Sequence, residues 1–447
     1  MIGNDTIFAL SSGQGRAGVA VMRLSGQRAI ETVEKLSKQT IKPRNVVYSA
    51  IVNPADGQKI DSGIVFTFKA PASFTGEDMA EIQVHGSHAV TQTLSEVLMA
   101  EGIRPAEAGE FTMRAFRNGK MDLAQAEALA DLIDAETNKQ RQQALGQMGG
   151  ALSSEATDWR DRLISILAPL EAGIDFPDEG DVPEMIEKTA RPVIEALLQV
   201  LEQYLTEAQQ ADRVRNGVRV ALIGPPNAGK SSLLNYLSNS EAAIVSDIPG
   251  TTRDVIEVRL DLGGVPVVLI DTAGMRAETR DVIEAEGIKR ARDKAQSADI
   301  RVALVDGKAD PGEAIPVLDH LKDDDFFLLN KKDLGAPGMF HVKQSPYISS
   351  ISLKTGEGMQ EFLSALEERV TLFCGDVDQP RLTRERHVFA VREAVSALQR
   401  SLDILAIQPE LSAEDVRLAA RHLGTITGNV DVEDVLGEIF SSFCIGK

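Results

Sequence analysis

Residues 218–238 read VRVALIGPPNAGKSSLLNYLS, and this stretch decides how the chain around it folds. It opens on an apolar, β-branched run, passes through Gly224-Pro-Pro-Asn-Ala-Gly-Lys-Ser231, and continues into a leucine-rich run with helical spacing. That is GxxxxGK[ST] between a strand and a helix, the arrangement in which glycines let backbone N–H groups wrap phosphates at a helix N-terminus. Lys230 is placed to reach the β- and γ-phosphates and Ser231 to ligate Mg²⁺. Asn227, Ala228, Gly229 and Ser232 complete the expected cradle.

Working outward, VPVVLID (265–271), IRVALVD (300–306) and FFLLN (326–330) alternate with helical patterns, including a charged one near 283–297. Such alternation argues a parallel sheet covered on both faces. Asp271-Thr272-Ala273-Gly274 ends the run VVLI, where an Asp can hold Mg²⁺ through water and the glycine can offer an N–H to the γ-phosphate. Asn330-Lys331-Lys332-Asp333 follows FFLLN. Asp333 can accept from both the ring N–H and the exocyclic amine of guanine. Adenine has no such pair and would leave a carboxylate unsatisfied. Ser352-Leu353-Lys354 stands where a base-contacting loop is expected, so the order of the elements points to GTP. Between the first two lies Ser246-Asp247-Ile248-Pro249-Gly250-Thr251-Thr252, in which Thr252, or its neighbour Thr251, would supply the second Mg²⁺ ligand. No Gln follows Gly274; the segment runs Met275-Arg-Ala-Glu-Thr-Arg280, and a thioether cannot orient water. Asp281, Glu284 and Glu286 are the nearby carboxylates, and each also reads as part of a solvated helix face.

The chain has 447 residues, 43% hydrophobic and 26% charged, a length that suits two to four domains. No uninterrupted apolar run reaches the roughly 18–20 residues that span a bilayer, and the N-terminal stretch lacks a basic region followed by an apolar one. Cys374 and Cys444 are too few for a disulfide framework and suit a reducing, cytoplasmic setting. Residues 1–120 read as mixed α/β, with strand-like runs beginning at Val19, Ile64 and Glu81. From Met121 the texture turns helical, with Leu123, Ala126, Leu129 and Ile133 on one stripe, and stays so to about Ala211 apart from turn chemistry at 176–180. Helical patterning returns after about Gln379. The economical partition is an N-terminal domain over 1–120, a helical domain in two parts (121–215 and 373–447), and an α/β domain over 216–372 inserted between them.

Several stretches resemble one family closely. GEFTMRAFRNGKMDLAQAEALADLID (109–134), SFTGEDMAEIQVHG (73–86), the run Glu284-Ala-Glu-Gly-Ile288 after DTAG, Asn227 in the phosphate loop and the ending Phe443-Cys-Ile-Gly-Lys447 look like the bacterial tRNA-modification GTPases called MnmE or TrmE. The resemblance covers the whole chain. It implies a folate-binding and dimerising N-terminal α/β domain, a discontinuous helical domain and an inserted Ras-like P-loop GTPase domain. It also implies a homodimer whose GTP hydrolysis uses K⁺ beside the phosphates, with Asn227, Ser246, Ile248 and Thr251 as ligands. The family's water-organising carboxylate corresponds to Glu284, with Asp281 and Glu286 as alternatives because the spacing from DTAG is one residue longer. The family's folate positions correspond to Arg23, Glu81, Lys120 and Lys447, for a reduced tetrahydrofolate in its 5-formyl or 5,10-methylene form. Cys444 is then a candidate nucleophile near the folate, against the plainer reading of a small buried hydrophobe. Two local departures from the family pattern are Ser11-Ser-Gly-Gln-Gly15, which lacks a proline, and His85-Gly-Ser87 in place of His-Gly-Gly.

By that resemblance the chain would work with an FAD-dependent partner, MnmG, in a heterotetramer that places an aminomethyl or carboxymethylaminomethyl group on carbon 5 of a tRNA wobble uridine. The competing function is a ribosome-assembly or regulatory GTPase that binds RNA without altering it, but no KH or RRM pattern accompanies the motifs. The net charge of −20, from 47 Lys+Arg against 67 Asp+Glu, opposes non-specific nucleic-acid binding. Arg213, Arg215 and Arg219 at one junction of the inserted domain, and Arg381, Arg384 and Arg386 at the other, are the local basic concentrations.

Overall fold

The computed structural model describes residues 5–13, 15–175, 182–244, 257–271, 298–310, 321–335, 347–375, 381–430, 433–441, 443 and 445–446. Contacts divide the chain into two units: Met1–Ala130 with Ser153–Ile164 and Ala420–Lys447, and Asp131–Leu152 with Ser165–Ala419.

The first unit is built on β1 (Ile7–Leu10), β2 (Ala17–Ser25), β3 (Val47–Val52), β4 (Lys59–Phe68), β5 (Met79–Gly86) and β6 (Arg104–Pro105). They form one sheet in the order β3-β4-β5-β2-β1-β6, antiparallel except for the short β1–β6 pair. Helices α1 (Ala29–Ser37) and α2 (His88–Ala100) cover one face, where Val33, Leu36, Leu94 and Leu98 meet Met22, Leu24, Ile51, Val65 and Ile82. Burial alternates along β5 from Ala80, with Ile82 and Val84 buried, Gln83 half-buried and His85 exposed, while Met79 packs with Ile7, Ala9 and Phe111 in a second cluster. Helix α3 (Glu110–Arg117) follows the sheet and α4 (Leu123–Ile133) begins the helical region. Ser87, one of the departures from the family pattern, is the N-cap of α2 and accepts from Val90 N at 3.2 Å.

The helical region does not run on from Met121 as one stretch. Helix α4 stops at Ile133, and α5 (Asn138–Met148) starts afresh from a capping box between Thr137 and Gln140. Helices α6 (Ala151–Asp175) and α7 (Val182–Asn216) lead to the inserted sheet.

That sheet comprises β7 (Val218–Ile223), β8 (Glu257–Leu262), β9 (Val265–Asp271), β10 (Ile300–Asp306), β11 (Phe326–Asn330) and β12 (Tyr347–Ser350), in the order β12-β11-β10-β7-β9-β8. All pairs are parallel except β8–β9. The runs read as continuous apolar segments because both faces are buried: Val302, Leu304, Phe326 and Leu328 pack in one cluster, Ala303, Val305, Phe327 and Leu329 in another. Helices α8 (Lys230–Ser238) and α9 (Met359–Cys374) close the first face through Leu233, Leu237, Phe362 and Leu366. The sheet grows to β9 on one side of β7 and to β10 on the other, so the loop after β7 lies at a topological switch point, where open α/β sheets bind ligands. Helices α10 (Glu385–Ile404), α11 (Pro409–Thr427) and α12 (Glu433–Ser441) follow, and α10 packs along α7. Among the described residues, no helix is long and apolar enough to cross a membrane.

Candidate functional site

The loop between β7 and α8 has the backbone that its glycines foretell. Gly224 has φ +150°, and a Cβ there would lie 2.1 Å from the Leu304 carbonyl oxygen on β10. Gly229 has φ +109°, and its Cβ would lie 2.5 Å from Asn330 Nδ2. Only glycine supplies both the dihedral and the clearance. Asn227, at the loop's exposed apex, takes a left-handed φ of +61°. Lys230 folds back over the loop and donates to the Gly224 and Pro225 carbonyls at 2.7 and 2.9 Å, while Ser231 stands exposed on the first turn of α8.

The residues expected on the base side converge on that loop. Asn330, at the end of β11, is buried and donates from Nδ2 to the Ala228 carbonyl at 2.9 Å. Its Oδ1 accepts from Lys331 N at 2.8 Å and Leu353 N at 3.3 Å. One side chain therefore braces the phosphate loop, the Asn-Lys-Lys-Asp turn and the Ser352–Lys354 loop together. Ser352 is fully buried, and its Oγ donates to Asp333 Oδ1 at 2.7 Å. Each carboxylate oxygen has two acceptor positions, so this bond orients Asp333 and leaves acceptor capacity for a guanine edge. The sequence reading named these residues separately; their mutual bonding, and Asp306 opposite Asn330 on β10, escaped it. Asp306 ends an apolar strand beside the base loop, and that position was the available signal.

Thr272, Ala273, Gly274, Asp281, Glu284, Glu286 and the segment Ser246–Thr252 lie outside the described residues, as do Cys444 and Lys447. Asp271 closes β9, in register with Leu222 on β7.

A second candidate site lies in the first unit. Arg23 on β2 and Glu81 on β5 are register partners, and Arg23 Nε donates to Glu81 Oε1 at 2.9 Å. The guanidinium lies 5.8 Å from the ring centre of Phe74 and 5.9 Å from that of Phe111, a pair of aromatic neighbours that the sequence reading missed. Lys120 Nζ donates to the Pro71 carbonyl at 3.1 Å, so the loop between β4 and β5 touches both basic residues. The C-terminal tail reaches the same sheet. Ile445 bridges to Ala108, Ser11 Oγ donates to the Gly446 carbonyl at 3.0 Å, and a Cβ at Gly446 would lie 2.5 Å from the Leu10 carbonyl. Ser11 and Ser12, in the other departure from the family pattern, thus hold the tail and β2; Ser12 Oγ accepts from Val21 N at 3.2 Å.

Beneath this sheet lies a charged cluster. Arg114, 3% exposed, donates to Asp5 Oδ1, Glu110 Oε1 and Glu77 Oε2, and Arg104 adds two bonds to Glu110 and one to Asp5. The Arg104 hydrogen bond holds the Asp5 carboxyl below its ordinary range. Burial pushes the Glu110 carboxyl up, but the Arg104 and Arg114 guanidiniums and the Glu107 N–H outweigh it, and its pKa is lowered.

The junction arginines do gather, but their charge is mostly spent within the fold. Arg213, Arg219, Arg384 and Arg392 line a cavity of about 450 Å³ together with Asp212, Asp299 and Glu385. Arg213 donates to Asp299 at 2.8 Å, and Arg215 and Arg384 both donate to Asp131, at 2.9 and 2.7 Å. One carboxylate thus ties the last turn of α7 to the start of α10, the two crossings into and out of the inserted sheet.

Comparison with known proteins identifies the family. A family model described as "GTP-binding protein TrmE N-terminus" matches residues 6–120, and one described as "MnmE helical domain" matches residues 123–444. The chain is 47% identical over 445 residues to the tRNA modification GTPase MnmE of Maricaulis maris, covering 99% of this chain and 100% of that protein. It is 48% identical over 450 residues to the Caulobacter vibrioides protein of that name, with the same coverage. The Rickettsia bellii counterpart is 44% identical over 448 residues, covering 99% and 100% of the two chains. The chain belongs to the MnmE family of tRNA modification GTPases.

Proposed function

We propose that this chain hydrolyses GTP to GDP and phosphate in the course of tRNA modification. The observation that carries the reading is the Asn330 brace, which joins the phosphate loop to the base loop by a 2.9 Å bond and so makes one nucleotide site of two motifs. Lys230 neutralises phosphate charge, Ser231 offers a hydroxyl to Mg²⁺, and Asp333, oriented by Ser352, selects guanine. Thr252 or Thr251 adds the switch-loop ligand, and Glu284, or else Asp281 or Glu286, holds the attacking water. Mg²⁺ and K⁺ would supply positive charge where the transferring phosphoryl group accumulates negative charge. For K⁺ the exposed Asn227 carboxamide fits as one ligand, with Ser246, Ile248 and Thr251 as the others.

At the finer level, the partition 1–120, 121–215, 216–372 and 373–447 assigns a reduced folate to the first domain. Arg23 and Lys120 suit a ligand with a glutamate tail and Glu81 a pterin-like amine, with Lys447 and Cys444 as the further residues that the family resemblance assigns to it. The folate would supply a one-carbon unit. A homodimer is favoured by exposed apolar residues on the first sheet, where Tyr48 pairs across to Ile64, 73% and 37% exposed, and Val19 on β2 is 55% exposed. The product is a wobble uridine carrying an aminomethyl-type group at carbon 5, made in the cytoplasm with the FAD-dependent MnmG.

Nucleoside analysis of tRNA from cells lacking the protein tests the modification: the modified wobble uridine disappears, and an unchanged nucleoside profile sinks the reading. The cation role has its own readout. Turnover drops at least tenfold when Na⁺ replaces K⁺, and equal rates remove K⁺ from the scheme.

A further inference from the structure

The stretch Ser73-Phe-Thr-Gly-Glu-Asp78 joins β4 to β5 and carries Phe74, whose half-buried ring is centred 5.8 Å from the Arg23 guanidinium. The next residue, Thr75, is fully buried and is held on both sides. Its carbonyl accepts from Asn118 Nδ2, at the end of α3, at 2.7 Å. Its hydroxyl lies 2.7 Å from the hydroxyl of Ser25, a fully buried residue that ends β2, and accepts from Glu77 N at 3.2 Å. Ser25 Oγ also lies 2.7 Å from Glu77 Oε2, which accepts from the buried Arg114 guanidinium at 3.1 Å. A carboxylate only accepts, so the Ser25 proton goes to Glu77 and the Thr75 proton to Ser25. Arg23 and Ser25 are two apart on one strand and project from the same face of the sheet. The hydroxyl bond at Ser25 and the ring contact at Arg23 are therefore neighbouring attachments of one loop to one strand.

We propose that Thr75 is a positioning residue for the ligand of the first unit: its hydroxyl, tied to Ser25, holds Phe74 against Arg23 and so fixes the direction in which that cation meets a folate-type carboxylate. The inference rests on the folate reading above and deepens it. Glu81 engages Arg23 through Nε, which leaves the terminal nitrogens of the guanidinium to a ligand. Phe74 on one side and Phe111, centred 5.9 Å away, restrict how those nitrogens can swing. A free arginine loses rotamer entropy on binding, whereas one already walled in by two rings has lost it beforehand.

The test is calorimetric titration of the full chain with 5-formyltetrahydrofolate, and with GDP as the control for the second unit. Thr75→Val keeps the shape of the side chain and loses the hydroxyl; folate affinity falls about three- to tenfold, on the scale of one net hydrogen bond, and GDP affinity is unchanged. Thr75→Ser keeps the hydroxyl, loses only a methyl group and retains most of the affinity. A packing role predicts the reverse order, because valine fills the buried site and serine leaves a void. Ser25→Ala removes the same bond from the strand side and shows the same loss, whether or not Thr75→Val folds. In a Phe74→Leu background Thr75→Val adds little, since the ring it places is gone. Unchanged folate affinity in Thr75→Val and Ser25→Ala overturns the proposal, as does a Thr75→Ser loss equal to that of Thr75→Val, fully multiplicative losses with Phe74→Leu, or a parallel loss of GDP affinity. A wild-type chain that does not bind the folate overturns the folate reading instead.

Discussion

At the scale of single residues, the candidate nucleotide site is an arrangement of clearances. Gly229 has no room for a side chain because Asn330 Nδ2 would lie 2.5 Å from its Cβ, and Asn330 is the brace on which three loops depend. Gly229→Ala would both strain a φ of +109° and displace that brace. The expected outcome is a loss of GDP affinity of at least tenfold by calorimetric titration, with far less change in melting temperature than a core truncation gives. Affinity within twofold of wild type would show that the brace moves without consequence. The GxxxxGK[ST] spacing made both glycines legible in the sequence, since the dihedrals follow from the turn. Which side chain would abut Gly229 was not legible, because Asn330 lies 101 positions away in the chain and meets it only through the parallel order of β7, β10 and β11.

At the scale of elements, the apolar runs at 265–271, 300–306 and 326–330 became strands because both faces of the inserted sheet are covered. The helical stripe from Met121 concealed a break, although Thr137-Asn-Lys-Gln140 is itself a capping signal; the alanine-rich composition on either side outweighed it. More hidden was the ionic floor beneath β1 and α3, since Asp5, Glu77, Arg104, Glu110 and Arg114 read individually as surface charges. Asp5 and Glu110 have lowered pKa values, so the cluster's contribution is full above the unfolded carboxylate range, near pH 4–4.5, and is lost as pH falls through the lower folded values. Glu110→Gln removes most of that contribution. Trp159 is the chain's one tryptophan, is buried and belongs to the same unit, so its fluorescence follows this unfolding. The gap in melting temperature between wild type and Glu110→Gln should be several degrees at pH 7 and close as pH falls below about 4. A gap that is constant from pH 7 to pH 3 would mean that the cluster is not what the carboxylates stabilise.

At the scale of the whole molecule, the charge of −20 and a tRNA substrate pull in opposite directions, and the arginines at the junctions resolve the tension. Had they faced solvent unpaired, six guanidiniums would form a steep electrostatic footing for RNA. Instead Arg213, Arg215 and Arg384 are engaged by Asp299 and Asp131, and the cavity that Arg213 and Arg384 help line also carries Asp212 and Glu385. Of the arginines lining it, Arg219 and Arg392 show no ion pair among the described residues. Linear charge counting along the sequence marked these positions as basic, yet could not register that their counter-charges arrive from residues 131 and 299. Counterion release amounts to roughly 0.7–0.9 in log K per log salt for each phosphate engaged, so these two arginines, Arg219 and Arg392, predict a slope of magnitude below about 2. The isolated chain should therefore bind tRNA weakly and with shallow salt dependence, and the FAD-dependent partner proposed above would supply most of the remaining grip. Filter-binding titrations from about 50 to 200 mM salt, with and without the partner, measure both. A slope steeper than about 6 for the chain alone would require many more phosphate contacts than Arg219 and Arg392 can make, and would return the acidic total to the status of an average that conceals a strong RNA site.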